Sequence, residues 1–360
     1  MHFHLFDLVH WPHPEPCGGW RQLEVYQHHF AEWELAERLG FEAIWLSEHH
    51  FTDYNLLPSP NLMLAALSQR TQRVRIGAMI NAVNFHNPWR LAEEAAMLDI
   101  LSQGRLWLGL GRASDVQEYD TFGQSLSEGR ERLLEGVDLM VQAFTQESVT
   151  FNGRYTRIGP ASLRPRPLQT PHPPIFLSAV TADTFAYAGR HNFGVGSIFR
   201  SVEETARSFG VFQAARTAAG LSFDPDAFIL FRHIYVGRTR ASAREEARGP
   251  LLEFFRLFQN AVLPDPEHHV FRFEENFHFL TERFHFLFGG KLSYDEMVER
   301  GIAIVGDPDT VAEEIARQRQ AIGMTRLAGI FAFGNLPHQA VMDSLARFGQ
   351  QVMPALQGAE

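Results

Sequence analysis

One recurring pattern narrows the fold of this chain more than any other. Short apolar runs without polar alternation are each followed by a longer stretch with helical spacing. The stretch after Gly40 that leads into Ser47-Glu48-His49, Val74 to Ile80, Leu106 to Gly111, Ile175 to Ala179 and Phe228 to Val236 are such runs. Unbroken runs of this length read as strands buried on both faces, and their alternation with helices over short connections is the signature of a parallel α/β architecture. His2 to Val9 supplies a first strand, Phe193 to Ser197 a weak one and Leu327 to Phe333 a last one, which makes eight. Helices are predicted from about Leu23 to Leu39, Asn61 to Gln69, Trp89 to Leu101, Arg130 to Phe144, Ala182 to Arg190, Val202 to Ala219, Ala241 to Phe258, Pro308 to Ile322 and His338 to Val352. The predicted fold class is α/β: a (β/α)8 TIM barrel with insertions, one domain over residues 1–360.

Two stretches break the rhythm. Residues 149–156 read as a hairpin around Asn152-Gly153, followed by a proline-rich segment from Pro165 to Pro174. Residues 260–291 alternate phenylalanine with histidine, as in Phe277-His278-Phe279 and Phe284-His285-Phe286. This segment reads as a lid insertion over an apolar substrate or as the packing of an ordered insertion. No metal-ligand spacing recurs in it.

Composition serves mainly to exclude. A net charge of -10 with scattered arginines argues against nucleic acid or an anionic membrane as partner. The single cysteine, Cys17, allows no intrachain disulfide, and no apolar run approaches the roughly 18 residues of a membrane span. The start resembles no signal peptide, so the expectation is a cytoplasmic protein.

Parallel barrels place their chemistry just past the C-terminal ends of the strands. The second strand ends there in Glu48-His49-His50. Adjacent histidines on a strand end point in opposite directions, which suits one catalytic histidine with a supporting neighbour; two backbone-bonded imidazoles are the alternative. After the fourth strand comes Gly109-Leu110-Gly111-Arg112-Ala113-Ser114, where glycine permits close backbone approach and arginine can grip a phosphate. A tight turn with a surface arginine would look the same. Arg130, at the next helix start, is within reach of the same phosphate or is simply solvated. Ser178 to Thr184 joins a strand end to a helix start, which suits either an anion site or plain capping by Thr181 or Asp183.

These features occur in the order and spacing of a known family. Leu39-Gly40-Phe41, Trp45 to Phe51, Asn87 to Glu93, Leu98 to Arg105, Gly306-Asp307-Pro308, Ser344 to Phe348 and Val352-Met353-Pro354 carry the resemblance. The chain resembles the bacterial luciferase-like flavin-dependent monooxygenases over nearly its whole length. The resemblance implies a two-component monooxygenase. A separate flavin reductase would supply reduced FMN, and O2 would react through a C4a-(hydro)peroxyflavin to oxygenate a small apolar or aromatic substrate. It implies His49 as the catalytic histidine near flavin C4a, acting as general acid/base near neutral pH, with His50 its neighbour. Arg112 and Arg130 would bind the FMN phosphate, Ser178, Val180 and Thr181 would form the phosphate loop, and Met79-Ile80 would be a non-proline cis peptide under the flavin ring. A homodimer pairing through the helices Asn61–Gln69 and Trp89–Leu101 is likewise implied.

Two departures stand out. Gly111 occupies the place of the luciferase α chain's reactive cysteine, which speaks against light emission, and Ala179-Val180 replaces Glu-Ser, which removes side chains from the phosphate loop. Two rival readings share the fold: a hydride-transfer enzyme using the deazaflavin F420, and a non-catalytic flavin-binding partner subunit.

Overall fold

Successive side chains of a strand leave on opposite faces, and in the first strand that alternation already sets out the layers of the molecule. The computed structural model describes residues 1–13, 17–262 and 293–357. In β1 (His2–Asp7), His4 packs on Trp107 with ring centroids 5.5 Å apart, and Phe6 meets Phe231 edge-on at 4.9 Å. Leu8, two residues further on, lines a cavity. Asp7 leaves on the opposite face toward α1 (Trp20–Leu39), where the Trp33 indole donates to its carboxylate at 2.6 Å. One face of β1 therefore builds the barrel interior in tiers, and the other clamps a helix.

The chain continues through β2 (Ala43–Leu46), α2 (Pro60–Arg70), β3 (Arg75–Ala82), α3 (Pro88–Leu101), β4 (Leu106–Gly111), α4 (Val116–Phe122) and α5 (Gly129–Thr145). After these come β5 (Val149–Asn152), β6 (Arg157–Ala161), β7 (Ile175–Ser178), α6 (Ala182–Arg190), β8 (Gly194–Ser197), α7 (Val202–Ala218), β9 (Phe228–Val236) and α8 (Arg240–Val262). The described C-terminal part holds α9 (Tyr294–Glu299), β10 (Ala303–Gly306), α10 (Pro308–Ile322), β11 (Arg326–Ile330), α11 (His338–Arg347) and α12 (Met353–Gln357). The strands β1-β2-β3-β4-β7-β8-β9-β11 pair in parallel and close into a barrel, β11 returning to β1. These are the eight strands expected from the apolar runs. Every residue of β2, β4 and β9 is buried, as unbroken apolar runs require.

Local capping explains several boundaries. Gly40 ends α1 in the left-handed conformation at φ 91°. The Asn87 side chain accepts from the backbone N–H groups of Trp89 and Arg90 and so starts α3, with Pro88 in the first turn.

The structure also corrects the sequence reading. The hairpin of β5 and β6 is present, but four residues join its strands, not a two-residue Asn-Gly turn. Glu135 of α5 is the reason: its carboxylate accepts from the backbone N–H groups of Arg154, Tyr155 and Thr156, wrapping the connection around itself. A Cβ on Gly153 would lie 2.4 Å from that carboxyl carbon, so this glycine makes room for Glu135. Helix α4 and strand β10 were not expected; β10 extends the sheet from the second half of β9. The closing helix is not continuous to Val352, because Phe348–Val352 is a π-helical stretch between α11 and α12. The expected lid at 260–291 lies outside the described residues, except that 260–262 finish α8. Among the described residues no helix is long and apolar enough to cross a membrane.

Candidate active site

Of the nine residues singled out from the sequence, His49, Met79, Ile80, Arg112, Arg130, Ser178, Val180 and Thr181 line one cavity of about 300 Å³. His50 is not among its lining residues. The cavity opens above the tier formed by Phe6 and Met79, past the C-terminal ends of β2, β3, β4 and β7.

The two histidines do diverge. The His50 ring turns to Glu48, with Nε2 3.2 Å from Oε1, and packs edge-on against Phe122 at 4.9 Å. Glu48 also holds His86 (Nε2 to Oε1, 2.8 Å) and accepts the Ala82 backbone N–H at 3.0 Å. Burial would raise the Glu48 pKa, but these donors more than offset it and hold the group down to about 2. An ionised Glu48 thus ties the end of β2 to the end of β3. Between Ala78 and Asn81 the register of β3 against β4 shifts, and the Met79–Ile80 peptide within this irregularity is cis. Opposite it, a Cβ on Gly111 would lie 2.4 Å from Ile80 Cδ1. The isoleucine fills the space that a side chain at 111 would need.

His49 turns the other way. Its Nδ1 lies 3.2 Å from Glu118 Oε1 and 3.3 Å from Asp115 Oδ2. The Tyr54 hydroxyl donates to the same Asp115 oxygen at 2.6 Å, and the His50 backbone N–H donates to Glu118 Oε1 at 2.8 Å. Burial alone would lower the His49 pKa; the two carboxylates overcome it and raise the value to about 10. Burial and the neighbouring Asp115 push Glu118 up from the usual carboxylate range. Beside two acids, the His49 ring is thus biased toward its protonated form. Asp115 and Glu118 escaped the sequence reading because α4 was not recognised. The available signal was Asp115 ahead of the helix and Gly123 after it, the left-handed end of the helix.

The opposite wall is cationic and hydroxylic. The Arg112 carbonyl is pinned by the Tyr119 hydroxyl and by Asn84 Nδ2 at 3.2 Å, which fixes the backbone from which its guanidinium enters the cavity. Arg130 Nη1 lies 3.7 Å from Asp183 Oδ2, both groups well exposed. Thr181 is the N-cap of α6, its Oγ1 accepting from the Thr184 N–H, and Arg200 donates to the Val180 carbonyl. The capping alternative therefore holds for Thr181, which lines the cavity all the same. Two guanidinium groups and the hydroxyls of Ser178, Thr181 and Thr184 face an apolar floor of Phe6, Leu8 and Met79. This donor set suits a ligand with a phosphate tail and a flat ring system, which FMN is.

A second cluster of the same make-up sits behind β1. His29 Nδ1 lies 2.7 Å from Asp7 Oδ2 and 3.2 Å from Glu32 Oε2, and His338 Nδ1 lies 2.7 Å from Glu32 Oε1. Burial would lower the His29 pKa, but the two carboxylates raise it to about 10. None of these residues lines the cavity.

Comparison with known proteins gives this geometry a family. The sequence profile of the luciferase-like monooxygenases matches residues 1–326. The chain spans 58% of the Sinorhizobium fredii protein y4vJ (32% identity over 203 residues, 56% of this chain). It spans 63% of the oxygenase component of flavin-dependent trigonelline monooxygenase from Acinetobacter baylyi (30% identity over 230 residues, 63% of this chain). F420-dependent hydroxymycolic acid dehydrogenase of Mycobacterium tuberculosis is 29% identical over 250 residues, 65% of this chain and 67% of that protein. The crystal structure of monooxygenase RslO1 from Streptomyces bottropensis superposes with a TM-score of 0.85 at 26% identity, covering 99% of both chains. With a matching barrel, a strand-end histidine and a cationic wall at one mouth, the chain belongs to the luciferase-like monooxygenase family.

Proposed function

We propose that this protein is the oxygenase component of a two-component flavin-dependent monooxygenase, and that the barrel-mouth cavity binds reduced FMN delivered by a separate reductase. The observation that carries this reading is the presence, in the lining of one cavity, of His49 together with Arg112 and Arg130. Arg112, Arg130 and the hydroxyls of Ser178, Thr181 and Thr184 hold the phosphate, with the backbone at Val180 completing the loop. Met79 and Ile80 support the ring. When bound, reduced FMN supplies two electrons and the site of O2 activation. Phe6, Leu8, Phe199 and Phe258 keep water from the reacting centre. His49 manages the proton there, and His50, held by Glu48, braces the strand end behind it. The apolar lining favours a small apolar or aromatic substrate. The relative that is an oxygenase component supports the reductase partnership.

The reading extends to a homodimer. Leu62 of α2 and Met97, Ile100 and Leu101 of α3 are exposed apolar side chains on neighbouring helices, the pair implied by the family resemblance. The F420 alternative draws on an F420-dependent relative, and both cofactors carry a phosphate. The test is turnover with NADH, a flavin reductase, FMN and isotopically labelled O2 over a panel of apolar substrates. One labelled oxygen atom in a product supports the reading. Product formation with reduced F420 and no label would replace it with the alternative.

A further inference from the structure

The flavin reading assigns a proton role to His49 without saying in which direction the proton moves. The residues behind the ring decide this. On the α4 side, two buried carboxylates converge on Nδ1, Glu118 at 3.2 Å and Asp115 at 3.3 Å. A nitrogen flanked by two acceptors carries its hydrogen. From the loop after β2, Tyr54 packs on the ring at 4.8 Å and spends its hydroxyl proton on Asp115. From α8, Phe254 and Phe258 meet Tyr54 edge-on and bring no charge. On the cavity side, Glu48 and Arg112 share the lining with His49. The oxygens of Asp115 and Glu118 and the ring nitrogen all lie within 4.8 Å of one another, and Glu118 Oε2 is buried without a partner among the described residues. Burial and the neighbouring Asp115 raise the Glu118 pKa, while both acids favour a charged imidazole between them.

We propose that Asp115 and Glu118 are positioning residues that share the Nδ1–H of His49, so that its Nε2–H is offered to the cavity as a hydrogen-bond donor and proton source, not as a base. The proposal rests on the flavin reading for its target but not for its geometry. When Nε2 gives up its proton, the ring becomes neutral with Nδ1–H still held by the carboxylates. Water at the cavity mouth restores the proton. A base at this position would need the opposite arrangement, with Nδ1 facing a single acceptor and a ring that titrates near the ordinary value of about 6.5.

The experiment is histidine-selective 15N NMR on the flavin-free protein, with the His49 resonance identified by its loss in His49→Gln. Expected is an imidazolium, protonated on both nitrogens, from pH 6 to about 9. Glu118→Gln and Asp115→Asn should each lower the titration midpoint by about one pH unit or more, and together return it toward about 6.5. The circular-dichroism spectrum should not change, and FMN affinity should stay within about threefold in the single variants. The pH profile of product formation should gain a falling limb near neutrality in Glu118→Gln. A His49 that is neutral at pH 7 in the unmodified protein, or a midpoint unmoved by either substitution, overturns the proposal. Should Asp115→Asn fail to fold, Glu118→Gln alone decides. Absence of FMN binding would sink the flavin reading and leave the NMR result standing, so the two failures are distinguishable.

Discussion

His29 and His49 are each raised to about 10 by a pair of carboxylates, yet of the two only His49 lines the barrel-mouth cavity. Around His29 the ring is closed off: Trp33 donates to Asp7, His338 occupies Glu32, and His28 stacks on His338 at 4.0 Å. The His29 side chain is 6% exposed and that of His49 17%. The lesson is that residue types and charge state do not by themselves mark a functional site. Carboxylates favour a proton on both rings, and only His49 has an edge on the barrel-mouth cavity.

The sharpest way to break that contrast is to remove each imidazole. His49→Ala should lower product formation by about 10²–10⁴-fold while FMN affinity stays within about threefold. Substitution of His29 should spare turnover per folded molecule. Equal losses of turnover in the two variants would erase the distinction.

Next in size is stability. Asp7→Ala leaves His29 and Glu32 without their balance, and should cost about 3–5 kcal/mol in denaturant unfolding. Glu118→Gln keeps a neutral isostere beside Asp115 and should cost less than about 1.5 kcal/mol. On the cationic wall, Arg112→Ala should weaken FMN about 10- to 100-fold by titration and leave riboflavin unchanged. The same substitution should not alter the NMR signature of His49.

The pH dependence follows from the signs. His29 and His49 bind their protons more tightly folded than unfolded. Their contribution is complete below about 6.5 and is lost as pH rises through about 10, with a slope of at most about 1.4 kcal/mol per pH unit for each group. Glu32 and Glu48, held down to about 2, contribute above about 4.5 and lose that contribution as pH falls toward 2. The summed contribution of these four groups should therefore be largest between about pH 4.5 and 6.5. In Asp7→Ala the alkaline slope should lose the His29 share and keep that of His49. Loss of a single donor should have a modest effect. Trp33→Phe and Tyr54→Phe should each cost about 1–2 kcal/mol, and only Tyr54→Phe should shift the titration of His49.

What the sequence disclosed follows the same physical divide. Strand runs such as Leu106 to Gly111 are legible because burial on both faces leaves a local signature. His49 and Arg112 could be singled out because each stands just after such a run, and Ser178 because it ends a strand. Glu118 could not: it meets His49 across 69 residues, and the short helix that carries it has few apolar positions to betray a period. Gly153 misled for a related reason, since Glu135, eighteen residues earlier, sets that turn. The closed cluster at His29 gave no sign either, because its members come from β1, α1 and α11.

The identity of the molecule that the cavity holds decides between flavin and deazaflavin chemistry. Anaerobic titration of the protein with reduced FMN, reduced riboflavin and reduced F420 tests it directly. The expected result is saturable FMN binding, a weaker response to riboflavin that Arg112→Ala makes equal to FMN, and negligible F420 binding. Tight F420 binding with none for FMN, or an FMN affinity indifferent to Arg112, would contradict it.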